Sequence, residues 1–397
     1  PIRCMGAGKM SEGAILVLNA GSSSVKFALY NVEREPSERA RGFVENLGSE
    51  ARLKLDLPDG EGERRNLGPA DHATALKEIL NVATQLLEHQ PVVGVGHRIA
   101  HGGIDFAEPQ RLDDDTVAKL RTLGPLAPLH QPHNLAAVDA ALKVFPDAIQ
   151  IGCFDTAFHR GQPWVNDTFA LPRRYYEKGV RRYGFHGLSY QYVTGALASM
   201  APEVANGRVM IAHLGNGASM CAVHAGRSIA STMGFSALDG LPMGTRCGQL
   251  DPGVLLYLMD QEQMTAAEIA HLLYLESGLK GLSGLTHDMR TLEASDKPEA
   301  RQAIDYFVFR TRREVGAMCA ILGGLDALVF CGGIGENSAL VRKRVCEGME
   351  WIGITLDAER NISNDPIISS GKTPVFIVQT DEERVIARSL IGFLETR

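Results

Sequence analysis

Two stretches of this chain align with each other without a gap. ILVLNAGSSSVKFALY begins at Ile15 and VMIAHLGNGASMCAVH at Val209, an offset of 194 residues, and Gly21 falls over Gly215. Each is an apolar run, a small-residue turn and a second alternating run, the pattern of strand, turn and strand. One unit opens each half of the chain. That placement reads as a duplication: two similar domains, each beginning with a hairpin, with a ligand expected in the cleft between them.

Length and composition agree. A chain of 397 residues suits two domains. Its 45% hydrophobic and 22% charged residues, with mean hydropathy near zero, describe an ordinary globular chain. The net charge of −7 argues against a nucleic-acid or anionic-membrane surface. No run reaches the roughly 18 apolar residues of a membrane span. Residues 1–12 (PIRCMGAGKMSE) are too poor in apolar residues for a signal peptide and read as a tail, with Met10 as a natural start. Seven cysteines, an odd number without a CxxC pair, point to buried thiols in a reducing cytoplasm.

Strand-like runs at 14–18 and 25–30 are followed by a polar stretch, 32–72, of loop or hairpin character. Helical spacing marks 73–89, 112–123, 189–200, 252–260, 265–276 and 297–323, and one more helix is expected after LAPLHQPHN with Asn134 as its N-cap. PVVGVGH, DAIQIGCFDTAF and DALVFCGGIGENS read as buried strands, the last running into a Gly-rich turn. TPVFIVQTDEERVIARSLIGFLE reads as strand, acidic turn and helix. Strands alternating with helices predict an α/β chain with largely parallel sheets.

Phosphate motifs of the usual kinds are absent. Residues 6–11 (GAGKMS) have the wrong spacing for a P-loop, and GVGHRI lacks the third glycine of a dinucleotide fingerprint. What remains is a nest of backbone N–H groups at the small-residue turns, Asn19 to Ser24 with Lys26 beside it, and Gly215 to Ser219. His97, His101, His130, His133, His159, His186 and His213 follow strand-like runs, without metal-ligand spacing. Arg98 and Arg246 lie where a forked guanidinium would suit carboxylate or phosphate oxygens, and Asp155 ends a strand.

LNAGSSSVKF, GHRIAHGG, PLHQPHN, FDTAFH, RRYGFHGLS, HLGNGAS, STMGFSALDGLPMGTRCGQLDPG, GGIGEN and TDEE together resemble the acetokinase family of short-chain carboxylate kinases. The resemblance covers about residues 14 to 396. It implies two duplicated domains of the actin-like, sugar-kinase and Hsp70-like ATPase fold around a nucleotide cleft: 13–156 with 384–397, and 157–383, the tail being 1–12. It implies phosphoryl transfer from ATP to acetate, giving acetyl phosphate and ADP with Mg2+ or Mn2+, in a cytoplasmic homodimer.

Carried over motif by motif, Arg98 and Arg246 bind the carboxylate and steady the phosphoryl group, His186 stabilises the transition state and Asp155 sits near the metal. Asn19 and Glu382 are the metal-linked positions. Lys26 and His213, Leu214, Gly215, Asn216 and Gly217 face the phosphates. Asp288, Met289 and Arg290 hold the adenosine, with Gly333, Ile334, Gly335, Glu336 and Asn337. Ala100, Leu129, Phe185 and Ala237 line the acyl pocket, where typical acetate-specific members carry a valine at the first position and a proline at the last. Two alanines leave room for propionate. A propionate or butyrate kinase and a switch-type actin- or Hsp70-like ATPase, which would turn over ATP without any carboxylate, are the competing readings.

Overall fold

The computed structural model describes residues 13–396 apart from 22, 23, 61 and 89. The tail at 1–12, and Ser22 and Ser23 of the first turn, lie outside the described residues. The chain divides into two compact units: Pro1–Ala157 with Asp381–Arg397, and Phe158–Thr380.

In the first unit, strands β1 (Ala14–Ala20), β2 (Val25–Asn31), β3 (Glu38–Glu45), β4 (Glu50–Asp56), β5 (Gly62–Pro69), β6 (Val92–Ile99), β7 (Gln110–Arg111) and β8 (Ile149–Phe154) form one sheet, in the order β5-β4-β3-β2-β1-β6-β8-β7. β1 is buried along its whole length, as a strand covered on both faces must be. Helices α1 (His72–Leu87) and α3 (Gln131–Val144), which α2 (Asp114–Thr122) separates in sequence, share a core with Leu16, Leu18 and Val95. Gly94 and Gly96 alternate onto the opposite face. There the helix Glu382–Glu395 approaches so closely that a Cβ at Gly96 would stand 2.3 Å from Ile386 Cγ2.

The second unit holds β9 (Arg208–Leu214), β10 (Ala218–His224), β11 (Arg227–Ser231), β12 (Ala327–Cys331) and β13 (Val375–Ile377), ordered β11-β10-β9-β12-β13. This repeats the β3-β2-β1-β6-β8 portion of the first sheet, with the same antiparallel and parallel pairings. The offset of 194 carries both ends of β1 onto both ends of β9. The sequence repeat is therefore a repeat of topology.

Four local expectations need correction. The sheets are mixed rather than largely parallel, because the polar 32–72 stretch supplies β3, β4 and β5 as antiparallel hairpins on one edge. α3 starts at Gln131, with Pro132 in its first turn where a missing N–H costs nothing. Asn134 is thus inside the helix and caps nothing. GGIGEN is a short helix, Gly332–Asn337, not an open turn. The 265–276 helix divides into Ala266–His271 and a wider π-turn, Leu272–Glu276. The last helix begins at Glu382, so residues 382 and 383 group with the first unit. Among the described residues no helix is long and apolar enough to cross a membrane.

Candidate active site

In the first unit the parallel strands β1, β6 and β8 end side by side, at the point where the strand order reverses, the usual place for a ligand beside an open α/β sheet. Asn19 lies near the end of β1, Arg98 near the end of β6, and Asp155 follows β8. Arg98 donates from Nε to Asp155 Oδ1 at 3.0 Å and from Nη2 to Oδ2 at 2.7 Å. Its Nη1 reaches Asn19 Oδ1 and Glu382 Oε2, both at 3.2 Å. Asn19 Nδ2 in turn donates to Glu383 Oε1 at 3.2 Å. Three residues predicted from separate motifs thus meet around the guanidinium of a fourth.

The electrostatics follow from burial. Desolvation opposes the Arg98 charge, yet Asp155, Glu382 and Glu383 outweigh it and hold the guanidinium protonated more firmly than usual. Desolvation also raises the Asp155 carboxyl above its ordinary range, against the pull of Arg98. Lys26 is exposed on β2 directly opposite Asn19, so the two side chains share a face.

In the second unit His186 is the left-handed N-cap (φ 58°) of the helix Gly187–Met200, a conformation a non-glycine residue adopts at a cost of about 1–3 kcal/mol. Its Nδ1 lies 2.8 Å from Ser219 Oγ, and its ring stacks on His213 at 4.3 Å. His213 Nδ1 lies 2.8 Å from Ser189 Oγ. With Nδ1 engaged in each, both rings are fixed in orientation. A Cβ at Gly217 would stand 3.1 Å from His186 Nε2 and 3.6 Å from Arg246 Nη2, so this turn, His186 and Arg246 lie close together and a side chain there would press on the His186 ring. Arg246 Nη1 donates to the Ala237 carbonyl at 3.1 Å.

The same turn forms one wall of a cleft of about 620 Å3. Gly215 and Asn216, then Asp288, Met289 and Arg290, then Gly333, Ile334 and Asn337 line it. Three distant segments singled out for one ligand therefore meet at one cavity. Asp288 caps the helix Met289–Glu293 and holds Arg290 Nη2 at 3.1 Å, which keeps its carboxyl below the ordinary range. Leu214 and Gly335 are packed in the interior instead. Glu336 Oε1 accepts from the Gly332 and Thr380 N–H groups at 2.9 and 3.2 Å, bracing the short helix.

The acyl residues fall in both units. Ala100 is buried in the first, its N–H donated to Asn134 Oδ1 at 2.9 Å, and Leu129 is half-buried there. Phe185 and Ala237 belong to the second, Phe185 within its core. Of the remaining histidines, His97 and His159 are wholly interior, and burial brings both down to about 4. His97 Nε2 meets Gln150 Oε1 at 2.7 Å and His159 Nε2 meets the Phe185 carbonyl at 3.0 Å, both structural tasks.

Sequence reasoning passed over His287, Glu293 and Ser338, which also line the cleft, and Glu383, which holds Asn19. His287, Ser338 and Glu383 each adjoin a chosen residue and were within reach; nothing local marks Glu293.

The acetokinase family model matches residues 14–388. The acetate kinase of Methylocella silvestris is 54% identical, over 96% of this chain and 98% of the relative; that of Rhodopseudomonas palustris is 51% identical, over 94% and 96%. Among solved structures, Porphyromonas gingivalis acetate kinase superposes with a TM-score of 0.85 at 38% identity, covering 96% of this chain and all of that one. A propionate kinase from Francisella tularensis gives 0.88 at 34% identity, covering 95% and 98%. An Arg-centred carboxylate cluster, a histidine-lined turn and a nucleotide-sized cleft on a chain of this ancestry leave one assignment: the chain belongs to the acetokinase family, kinases that transfer a phosphoryl group from ATP to a carboxylate.

Proposed function

We propose that the protein is an acetate kinase that also accepts propionate, and that it works as a cytoplasmic homodimer. The observation that carries the site assignment is the cleft, on which three nucleotide segments predicted from separate motifs converge.

Acetate is ionised near neutral pH, because carboxyl groups titrate near 4. The acceptor therefore needs no general base, unlike a sugar hydroxyl. What it needs is an anion brought against a polyanion, and stabilisation of charge spreading over three equatorial oxygens. Arg98 and Arg246 bind the carboxylate and steady the phosphoryl group. His186 donates to the transferring group, its ring held by Ser219 and His213. Lys26 and the turn from His213 to Gly217 face the phosphates, while Asp288–Arg290 and Gly333–Asn337 hold the adenosine. Asp155 fixes the Arg98 fork.

The donor set fits Mg2+ or Mn2+. Asn19 Oδ1 and Glu382 Oε2 are hard oxygens of the kind these cations prefer, each 3.2 Å from Arg98 Nη1. When bound, the ion neutralises charge on the β- and γ-phosphates.

Propionate use is supported by Ala100 and Ala237, small residues at acyl positions; one added methylene is worth about 0.8 kcal/mol when buried. The dimer is supported by the helix Pro252–Asp260, which is strongly apolar yet has no buried residue: Leu256 is 62% exposed and Tyr257 53%. The cytoplasm is supported by the cysteines, none of the six described being in a disulfide.

The test is ATP-dependent acyl-phosphate formation, trapped as hydroxamate, with acetate, propionate, butyrate or no acid. Comparable product from acetate and propionate supports the reading. Acetate alone removes the propionate assignment. ADP released equally without acid points to a switch-type ATPase instead.

A further inference from the structure

Two successive carbonyls beyond Asn19 are each held by a side chain from a different helix. Asn134 of α3 donates to the Ala20 carbonyl at 2.6 Å. His72, the first residue of α1, brings Nε2 to within 2.8 Å of the Gly21 carbonyl, to which it donates. The His72 ring lies on that of His133, in the first turn of α3, with centroids 3.8 Å apart and planes 13° from parallel. A glycine at the head of a tight turn has wide backbone freedom. Closure of the turn by Gly21 N–H to the Ser24 carbonyl at 2.8 Å fixes only its mouth. His72 fixes the Gly21 peptide plane from outside, and the stack on His133 fixes the His72 ring. The mechanism above uses neither histidine.

We propose that His72, braced by His133, is a positioning residue for MgATP and MgADP: by holding Gly21 it fixes the end of β1 that carries Asn19. The inference rests on the assignment of Asn19 and its turn to metal and phosphate. It acts on nucleotide and metal before the acyl group, because His72 holds Gly21 itself, whereas Ala100 meets this segment only through Asn134, which also holds the Ala20 carbonyl.

The experiment compares full-length parent with His72→Ala, His72→Gln, His133→Ala, His133→Phe and Asn19→Ala. MgADP affinity by calorimetry, KM for MgATP, KM for acetate and the apo melting temperature are measured on each. His72→Ala is expected to weaken MgADP binding and raise the MgATP KM on the order of tenfold, the usual scale for groups that orient a metal site's residues. The acetate KM and the melting temperature stay near the parent's. His72→Gln, which keeps an N–H donor, recovers most of the affinity. His133→Phe, which keeps the stack, behaves as parent, and His133→Ala loses part of it. MgADP binding within twofold of parent in His72→Ala overturns the inference. So does a loss shared equally with acetate, accompanied by a lower melting temperature and not rescued by glutamine, because that is a purely structural role. Asn19→Ala separates the two levels. If it weakens MgADP while His72→Ala does not, only the positioning role fails; if it leaves MgADP binding untouched, the assignment of the turn fails and this inference with it.

Discussion

Arg98 grips both oxygens of Asp155 at once, Nε to Oδ1 at 3.0 Å and Nη2 to Oδ2 at 2.7 Å. A fork held this way has one direction left in which to point its third nitrogen, and Nη1 lies 3.2 Å from Asn19 and from Glu382. Planarity is what makes the arrangement possible, so a lysine cannot replace it. Arg98→Lys is expected to lower kcat/KM for acetate on the order of 100–1000-fold, the scale for losing one preorganised donor. Asp155→Asn keeps one acceptor oxygen and is expected to cost less. Because the two residues act as a unit, the loss in Arg98→Lys/Asp155→Asn will fall short of the product of the single losses. Steady-state kinetics on the single and double variants checks this, and strict additivity would deny that the pair works together.

His186 is placed by backbone geometry as much as by its neighbours. Asparagine tolerates the left-handed region better than most residues, so His186→Asn relieves strain while removing the imidazole. The expectation is a split: a melting temperature at or above the parent's, with kcat lowered about 100-fold or more and both KM values within a few-fold. A loss confined to KM would make His186 a ground-state binding group.

Two alanines set the acyl prediction. Ala237→Pro and Ala100→Val are each expected to lower the propionate-to-acetate ratio of kcat/KM, by at most the roughly 10–200-fold that one methylene can supply. Ala100 is already only 6% exposed and its N–H is tied to Asn134. The extra methyl groups of Ala100→Val therefore crowd a packed site and should also lower the melting temperature. An unchanged ratio in both variants would locate selectivity elsewhere.

Why the sequence showed so much here, and not more, is visible in single residues. Repetition shows in a sequence when both copies keep their strand pattern, and β1 and β9 keep theirs to the residue. Arg98 and His186 are legible because each stands inside a motif, GHRIAHGG and YGFHG, whose neighbours mark it. His72 was not, because its partner Gly21 is 51 positions away and its contact is to a backbone carbonyl, which leaves no trace in residue type. Asn134 misled for a related reason. A favoured capping residue stood two positions after a proline, and the local rule lost to a long-range demand: its amide is needed by Ala20 and Ala100. Parallel sheets were overpredicted because a polar, charge-rich stretch hides its strands; β5 is exposed along most of its length and shows no core-facing alternation.

Stability at acid pH should be set in part by Asp326. Its side chain accepts from Arg208 Nη2 at 2.6 Å, Nε at 3.0 Å and the Arg208 backbone N–H at 2.7 Å, joining the start of β9 to the start of β12. The Arg208 side-chain bonds, together with that backbone N–H, bring the carboxyl from its ordinary 3.8 to about 2. A depressed carboxyl contributes stability that is whole above its unfolded value and lost as pH falls through its folded one, so the window runs from about pH 4 down to about pH 2. The shift corresponds to about 2 kcal/mol at face value; with both side chains about a third exposed, solvent screening brings this to about 1 kcal/mol. Asp326→Asn should therefore melt about 2–4 °C below the parent at pH 7. That gap should narrow steadily below pH 4, as the parent loses what the variant never had. Melting curves of both proteins at neutral pH and at several points through that acid window decide it: a gap that stays constant with pH would mean that the variant fails through packing, not through the charge held by Arg208.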